Sequence, residues 1–404
     1  MVSSSAAVGP KLGYLYQIRY ALYLLLQQDG NDVFLSIEWL DDVTLASDDE
    51  NTTPVEFLQL KHSVNSHATL TDLSPQIWNT ISNWSNHIAD GRHDTSELAL
   101  TLVTTSVAKE NSLGALLRPS HQRDAGNIIE KLIEATAKSR SKELSPFFES
   151  FLRLSDEQRL ALINNINVLD DTPNIIDIES KIQAQLHGIR RVHRSDAYQK
   201  LEGWWFAKVV NHLMEPDAHK VISLEELENK IADIADEYSP DNLPIDFFPA
   251  TEKKPSIPTD VDTRLFVQQL KAIGISTKYL ERCILDYYSA FEQRARWVRK
   301  DLIVDGEIEK YERKLIHEWD MFSLICISEL GDTASEVDLQ KCGFAILNQM
   351  QGKDIRIRDK VSEPYVMRGS YHILADNLKG VKPQIQWHPE FLKKVTTIFS
   401  GQGS

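Results

Sequence analysis

Between Arg19 and Arg92 the chain carries eleven carboxylates and one lysine, Lys61. That lysine ends the segment VEFLQLK, whose β-branched and aromatic residues mark a strand. Residues two apart share a strand face, so Val55, Phe57, Gln59 and Lys61 point one way and Glu56, Leu58 and Leu60 the other. Gln59 and Lys61 therefore project side by side. Glu38 and Asp42 lie at the end of one preceding strand, VFLSIEW, and the start of the next, DDVTLA, where a meander can bring them opposite that face. Phosphodiester hydrolysis calls for this combination. Carboxylates bind a hard divalent cation through oxygen, the cation activates water and neutralises charge, and a lysine assists the nucleophile or the transition state. Mg²⁺ suits the set best, with Mn²⁺ as a substitute. Glu38, Asp42 and Gln59 are the expected metal ligands, the glutamine carbonyl replacing one carboxylate, and Lys61 is the expected catalytic cation.

The same residues also have ordinary structural readings. Lys61 could be a solvated strand-end lysine, and Asp41 reads as a turn residue. His62 points to the opposite face from Lys61 and reads as structural, and Glu56 as a surface acid. Gln17, on an otherwise apolar helix, could serve only to satisfy a buried backbone group.

Positioning these side chains is the task of the surrounding elements. Leu15, Ile18, Leu22, Leu25 and Leu26 recur at helical spacing from Gly13 to about Gln28, and Asp29-Gly30 ends that helix. Three strands follow as a meander, with SDDENTTP as a polar turn. Thr71-Asp72 then precedes a helix with Leu73, Ile77, Ile81, Trp84 and Ile88 on one stripe, and LALTLVTTS is a buried strand. The first 120 or so residues thus form an α/β core, a mixed sheet flanked by helices. Beyond it strand signals nearly vanish and helical periodicity continues to about residue 240, completing an expected first domain over 1–240. SPDNLPIDFFPATEKKPSIPT holds five of the 15 prolines, so 241–259 is the expected linker. Residues 260–404 read as a helical partner-binding or oligomerisation domain, with two or three long helices from about Val261 to Met350 and a mixed tail.

At 404 residues and a mean hydropathy of -0.32, the chain has the profile of a folded protein of two or three domains. Its net charge of -15 opposes diffuse binding to nucleic acid, so any DNA contact must be local. Three scattered cysteines, Cys283, Cys326 and Cys342, make neither a disulfide framework nor a CxxC metal site and point to a reducing compartment. The opening residues lack a signal-peptide pattern, and no run reaches ~18 apolar residues, so the expected location is the cytoplasm, without a membrane. HGIRRVHR (187–194) and RARWVRK (294–300) are either phosphate contacts or solvated helix faces. Trp204-Trp205 could form a stacking platform, although helical spacing makes at least one ring core. His388, in QWHPEF, reads as packing.

A helix bearing Tyr16-Gln17, then IEWLDD, then QLKH, resembles the PD-(D/E)XK nucleases of the Mrr-like and CBASS-associated double-stranded DNA endonuclease type. LEGWWFAKVV, RGSYHILAD and QWHPEF are similar to the C-terminal part of the middle component of ABC-three-component defence systems, among them the Lamassu nuclease effectors. The likeness spans nearly the whole chain. It places the family's acid on Asp42, its Gln-x-Lys on Gln59 and Lys61, and a second acid on Glu38. The sequence departs from it at Gln59, where many members carry Glu, and at Gln17, where some carry a helix Glu. The resemblance implies a Mg²⁺-dependent endonuclease acting on double-stranded DNA. It also implies partners, an SMC-like ATPase subunit and a small accessory subunit, with release or homo-oligomerisation when foreign DNA is sensed. Charge points the same way: residues 1–120 carry six bases against fourteen acids, so a lone monomer approaches DNA poorly. The competing expectation is a non-catalytic adaptor or scaffold of the ATPase complex with a degenerate nuclease fold, its acidic surface suiting a basic partner.

Overall fold

The computed structural model describes residues 8–393 other than 31, 51, 64–67, 92–97, 215–220, 249–261, 332 and 381. The chain divides into two units, Met1–Ala235 and Asp236–Ser404.

In the first unit, α1 (Val8–Leu25) leads into the expected meander of β1 (Phe34–Ile37), β2 (Val43–Ala46) and β3 (Pro54–Lys61). Its strands are antiparallel, with Leu35 opposite Leu45 and Thr44 opposite Phe57. β4 (Thr69–Leu70) and α2 (Pro75–Asp90) carry the chain to β5 (Ala99–Thr104), which lies parallel to β3 with Gln59 beside Leu102. β6 (Val107–Ala108) pairs with β4 in a separate ribbon. Helices α3 (Leu113–Leu116), α4 (Ala125–Lys138), α5 (Ser145–Leu152) and α6 (Asp156–Asn165) follow. β7 (Ile166–Leu169), α7 (Ile175–Gln185), α8 (Arg194–Met214), β8 (Ile222–Ser223) and α9 (Leu224–Glu237) complete the run. The sheet order is β7-β5-β3-β2-β1-β8, a mixed sheet with β3 inside it. β7 and β8 correct the helical reading of this stretch. INVL directly abuts α6 without a turn residue between them, and its strand partner is the edge of β5, which no local pattern reveals.

α2 begins at Ser74-Pro75 rather than at Thr71-Asp72, because proline suits the first helical turn, and it ends where Gly91 adopts φ 59°. Its apolar stripe, with Trp78 and Trp84 fully buried, packs with Phe57, Leu100 and Leu102 of the sheet. Phe148 of α5 meets the Trp78 ring edge-on at 4.6 Å. Elsewhere in the unit α1 packs against α8, where the buried Trp205 donates its indole N–H to the Ile18 carbonyl at 2.8 Å. Trp204 is half-buried beside it, so the pair is anchored through one core ring. Within HGIRRVHR, Arg194 donates to the carbonyls of Ile189 and Ala184, closing the end of α7.

The second unit holds α10 (Leu265–Ala272), α11 (Thr277–Arg299), α12 (Glu307–Ser328), α13 (Glu336–Gln351), α14 (Pro364–Asp376) and a ribbon of β9 (Leu378–Lys379) and β10 (Lys382–Pro383). Among the described residues three long helices, α11, α12 and α13, occupy the stretch to Gln351 as expected, preceded by the short α10, which Gly274 at φ 72° breaks from α11. Of the expected linker, 249–259 lies outside the described residues. The segment just before it is fastened to the second unit: the Gln293 carbonyl accepts from the backbone N–H groups of Asp246 and Phe247 at 2.8 and 3.0 Å, and Trp297 donates to the Pro244 carbonyl at 2.8 Å. In RARWVRK, Arg294 and Arg296 pair with Glu312 and Asp246 and so serve packing, whereas Val298 and Arg299 lie on the exposed side of the helix. No described helix is long and apolar enough to cross a membrane.

α11 and α14 approach so closely that a Cβ on Gly369 would stand 2.1 Å from the Asp286 carbonyl oxygen. Gly369→Ala must therefore push the two helices apart and should cost roughly 3 kcal/mol in urea unfolding of this unit. Gly203, exposed in the middle of α8 with nothing within 4 Å of its added Cβ, is the control. Gly203→Ala should stabilise the first unit by about 0.5–1 kcal/mol. Equal effects at the two positions would contradict the packing described.

Candidate active site

The five residues Glu38 to Asp42 join β1 to β2, and the Glu38 N–H donates to the Asp42 carbonyl at 3.1 Å to close the turn. Glu38 takes a left-handed backbone, φ 56°, a conformation that disfavours any residue with a Cβ. Leu40 turns inward against the core under α2. Three neighbouring elements then hold the turn through polar contacts.

From α1, the buried Gln17 amide donates both to Glu38 Oε1 at 3.0 Å and to the Asp42 carbonyl at 2.8 Å. Gln17 does satisfy a backbone group, as its apolar surroundings suggest, but the group belongs to the acidic turn. From α2, Trp84 Nε1 donates to Asp41 Oδ2 at 2.7 Å. From β3, Gln59 Nε2 donates to Asp41 Oδ1 and, at 3.3 Å, to Asp42 Oδ1, while the Leu60 N–H donates to Asp42 Oδ2 at 2.8 Å. Lys61 Nζ lies 3.8 Å from the same Asp42 oxygen, with the two side chains 24% and 22% exposed. Lys61 is thus half-enclosed beside a carboxylate and not free in solvent.

The structure therefore gathers Asp42, Gln59 and Lys61 at one point. Glu38, which is exposed, stands at the rim and reaches the others through Gln17. Asp41, read as a turn residue, is a member of the cluster. Burial pushes its carboxyl up to about 7, against the lowering effect of its bonds from Gln59 and Trp84. The doublet Asp41-Asp42 is the signal that could have found it: adjacent residues on a tight turn can both reach one site. Glu56 is half-buried, accepts a hydrogen bond from Thr101 and has its carboxyl raised by burial, which corrects its reading as a surface acid. His62 faces α1, its ring 4.9 Å from that of Tyr16, consistent with a structural role.

The turn forms one wall of a cleft of about 360 Å³. Asn83, Asn86, His87 and Asp90 of α2 form the other wall, at the helical spacing opposite the helix's apolar stripe. Sequence reading recorded that stripe and passed over its polar complement.

Among the described residues, no three His, Cys, Asp or Glu side chains are gathered so as to hold a metal ion by themselves. The oxygen atoms nevertheless fit a hard divalent cation. Gln59 presents its NH₂ to the two aspartates, and its carbonyl oxygen is buried without a hydrogen-bond partner. Exchanging the ends of that amide would set its oxygen beside two carboxylates, a set that repels itself without a cation and is satisfied by one.

Residues 266–395 match the family model of C-terminal domain 7 of the ABC-three component (ABC-3C) systems. No curated protein matches the chain. Among solved structures, the Cap4 SAVED/CARF-domain containing receptor of Moraxella osloensis is similar at 14% identity, over 70% of this chain and 69% of that one, with a TM-score of 0.33. The Acinetobacter baumannii receptor of the same description, solved with the cyclic trinucleotide 3'3'3'-cAAA, is similar at 14% identity over 70% and 66%, with a TM-score of 0.34.

The raised Asp41 carboxyl has a measurable consequence for stability. In EDTA the native chain keeps the Asp41 proton to about pH 7, whereas the unfolded chain loses it near its ordinary value of 3.8. The stabilisation is therefore full below that value and is lost as pH rises to about 7. Asp41→Asn removes this dependence, and the reversed Gln59 amide can still serve the new side chain. Its urea midpoint should exceed the wild-type midpoint at about pH 8 and converge on it near pH 4. A gain of equal size at both pH values would show that Asp41 ionises normally.

Proposed function

We propose that this chain, a component of an ABC-three-component defence system by its C-terminal domain, is the nuclease effector of that system, of the Lamassu kind. It would be a Mg²⁺-dependent endonuclease, with Mn²⁺ as a substitute, acting on double-stranded DNA. The observation that carries this reading is the convergence of Asp42, Gln59 and Lys61, with Lys61 Nζ 3.8 Å from Asp42 Oδ2. Asp41, Asp42 and Gln59, with Glu38 at the rim, would hold the cation. A bound divalent ion supplies Lewis acidity and makes water more acidic. Lys61 sets an ammonium beside the site, where it can meet the charge that develops on a phosphorane oxygen. Gln17 and Trp84 keep the acids in place without joining the chemistry. No zinc finger, homeodomain or other base-reading pattern is present in the sequence, so cleavage is expected with little sequence preference.

The acidic N-terminal region gives a regulatory corollary. Binding to an SMC-like ATPase and a small accessory subunit would hold the protein in check, and homo-oligomerisation would raise the local concentration of sites enough to act on DNA. One observation favours a second reading, a non-catalytic adaptor: the Gln59 NH₂ donates to both aspartates and so occupies carboxylate oxygens that a cation would use.

Plasmid nicking separates the two. Full-length protein in Mg²⁺ should convert supercoiled DNA to open circles and linear molecules, and Lys61→Ala should lower the rate about a hundredfold or more. The variant's urea midpoint should remain near wild type, since a partly exposed ion pair contributes at most about 1 kcal/mol. Wild-type protein that cleaves nothing in any oligomeric state, while still co-purifying with the ATPase, would establish the adaptor.

A further inference from the structure

We propose that the cleft beside Asp42 is a subsite for a single nucleotide, in which Trp39 stacks on the base next to the scissile phosphate. The inference rests on the nuclease reading and adds how the site grips its substrate.

Trp39 is 45% exposed, whereas Trp78, Trp84, Trp205, Trp297 and Trp387 are fully buried. Turns seldom need a tryptophan, and an exposed indole gives up its large apolar contribution to folding. The residues on either side determine its place. Leu40 is drawn into the core, and Glu38 accepts a left-handed backbone, so the chain turns with residue 39 at the rim of the cleft. Facing it across the cleft are Asn83, Asn86 and His87 of α2. The Asn83 amide can donate to or accept from a base edge or sugar hydroxyl, the Asn86 oxygen accepts from Arg153 at 2.7 Å and leaves its NH₂ to donate, and His87 is steadied with its ring 5.5 Å from Phe57.

Charge explains why stacking is needed. Among the described residues the cleft walls carry Glu38, Asp41, Asp42 and Asp90 and no lysine or arginine, although Arg153 donates to the Asn86 amide oxygen at 2.7 Å, and Lys61 beside Asp42 is the only such base in the sequence between Arg19 and Arg92. A polyanion gains little there from phosphate contacts, which normally dominate affinity for nucleic acid. Aromatic stacking is indifferent to that charge and to base identity, which suits an enzyme without sequence preference. At about 360 Å³ the cleft has room for one nucleotide. A base that stacks on Trp39 must leave its own stack, so flexible, mismatched or nicked positions should be cut first.

The test uses full-length protein and a duplex carrying 2-aminopurine beside a cleavage position mapped with the wild type. With Mg²⁺, Trp39→Ala should raise KM roughly tenfold or more and leave kcat nearly unchanged, while Trp39→Phe keeps most of the affinity. With Ca²⁺ in place of Mg²⁺, wild type and Trp39→Phe should change the 2-aminopurine fluorescence on binding, and Trp39→Ala should not. Urea midpoints report whether each variant is folded. If Trp39→Ala fails to fold, Trp39→Leu, which keeps bulk and loses the ring, decides in the same way. Wild-type KM and wild-type fluorescence in the folded ring-less variant would overturn the stacking role and leave the nuclease intact. A wild-type protein that neither binds nor cleaves DNA would overturn the nuclease reading and this inference with it.

Discussion

The turn from Glu38 to Asp42 is the constraint on which the rest of the first unit depends. Two adjacent carboxylates sit against a core containing Phe57, Trp78 and Trp84, a position that costs several kcal/mol per unpaired charge. What makes it tolerable is a set of donors from three elements: Gln17 on α1, Trp84 on α2, and Gln59 with the Leu60 N–H on β3. None of these is near the turn in sequence. The acids can therefore take their positions only after both helices and the central strand have docked, so the site is assembled by the fold as a whole. The raised Asp41 carboxyl measures the tension that remains.

That arrangement also accounts for the side chains chosen. Gln17 has an apolar helix face around it, yet an aliphatic residue there would remove one of two donors to the Asp42 carbonyl and the bond to Glu38 Oε1. Trp84 fills core volume like its neighbours and also reaches a carboxylate with its one polar atom. Gln59 can meet carboxylates with its NH₂ or a cation with its carbonyl oxygen. A glutamate at that place would offer only oxygen and add a third charge to the cluster.

In the second unit, buried polar groups hold the packing together instead of forming a site. Gln269 donates to the Ala375 carbonyl and accepts from the Trp387 N–H, tying α10 to the end of α14 and to the chain beyond it. Arg358 clasps Glu307 with two bonds and also donates to the carbonyls of Asn242 and Leu302. Polar side chains that are fully satisfied in this way specify one arrangement of helices where apolar contacts alone would permit several. A domain of a multi-component system needs such a defined surface, and residues 266–395 match a family of C-terminal domains from such systems.

Local periodicity was enough to read the order of helix, meander, helix and strand in the first hundred residues, and strand alternation alone put Gln59 and Lys61 on one face. The adjacency of Asp42 to that pair also followed, because a short hairpin leaves the ends of its strands few places to go. Other features had no local signature. β7 and β8 are strands because sheet edges are open to them, and Asp41 belongs to the cluster because an indole 43 residues away points at it. In RARWVRK, Arg294 and Arg296 look available to phosphate until Glu312 and Asp246 arrive from other segments to pair with them. Residue types and short-range spacing determined which chemistry was available to this protein. Tertiary structure decided which groups are desolvated and which donors and charges they meet, because those depend on chain segments that sequence proximity does not bring together.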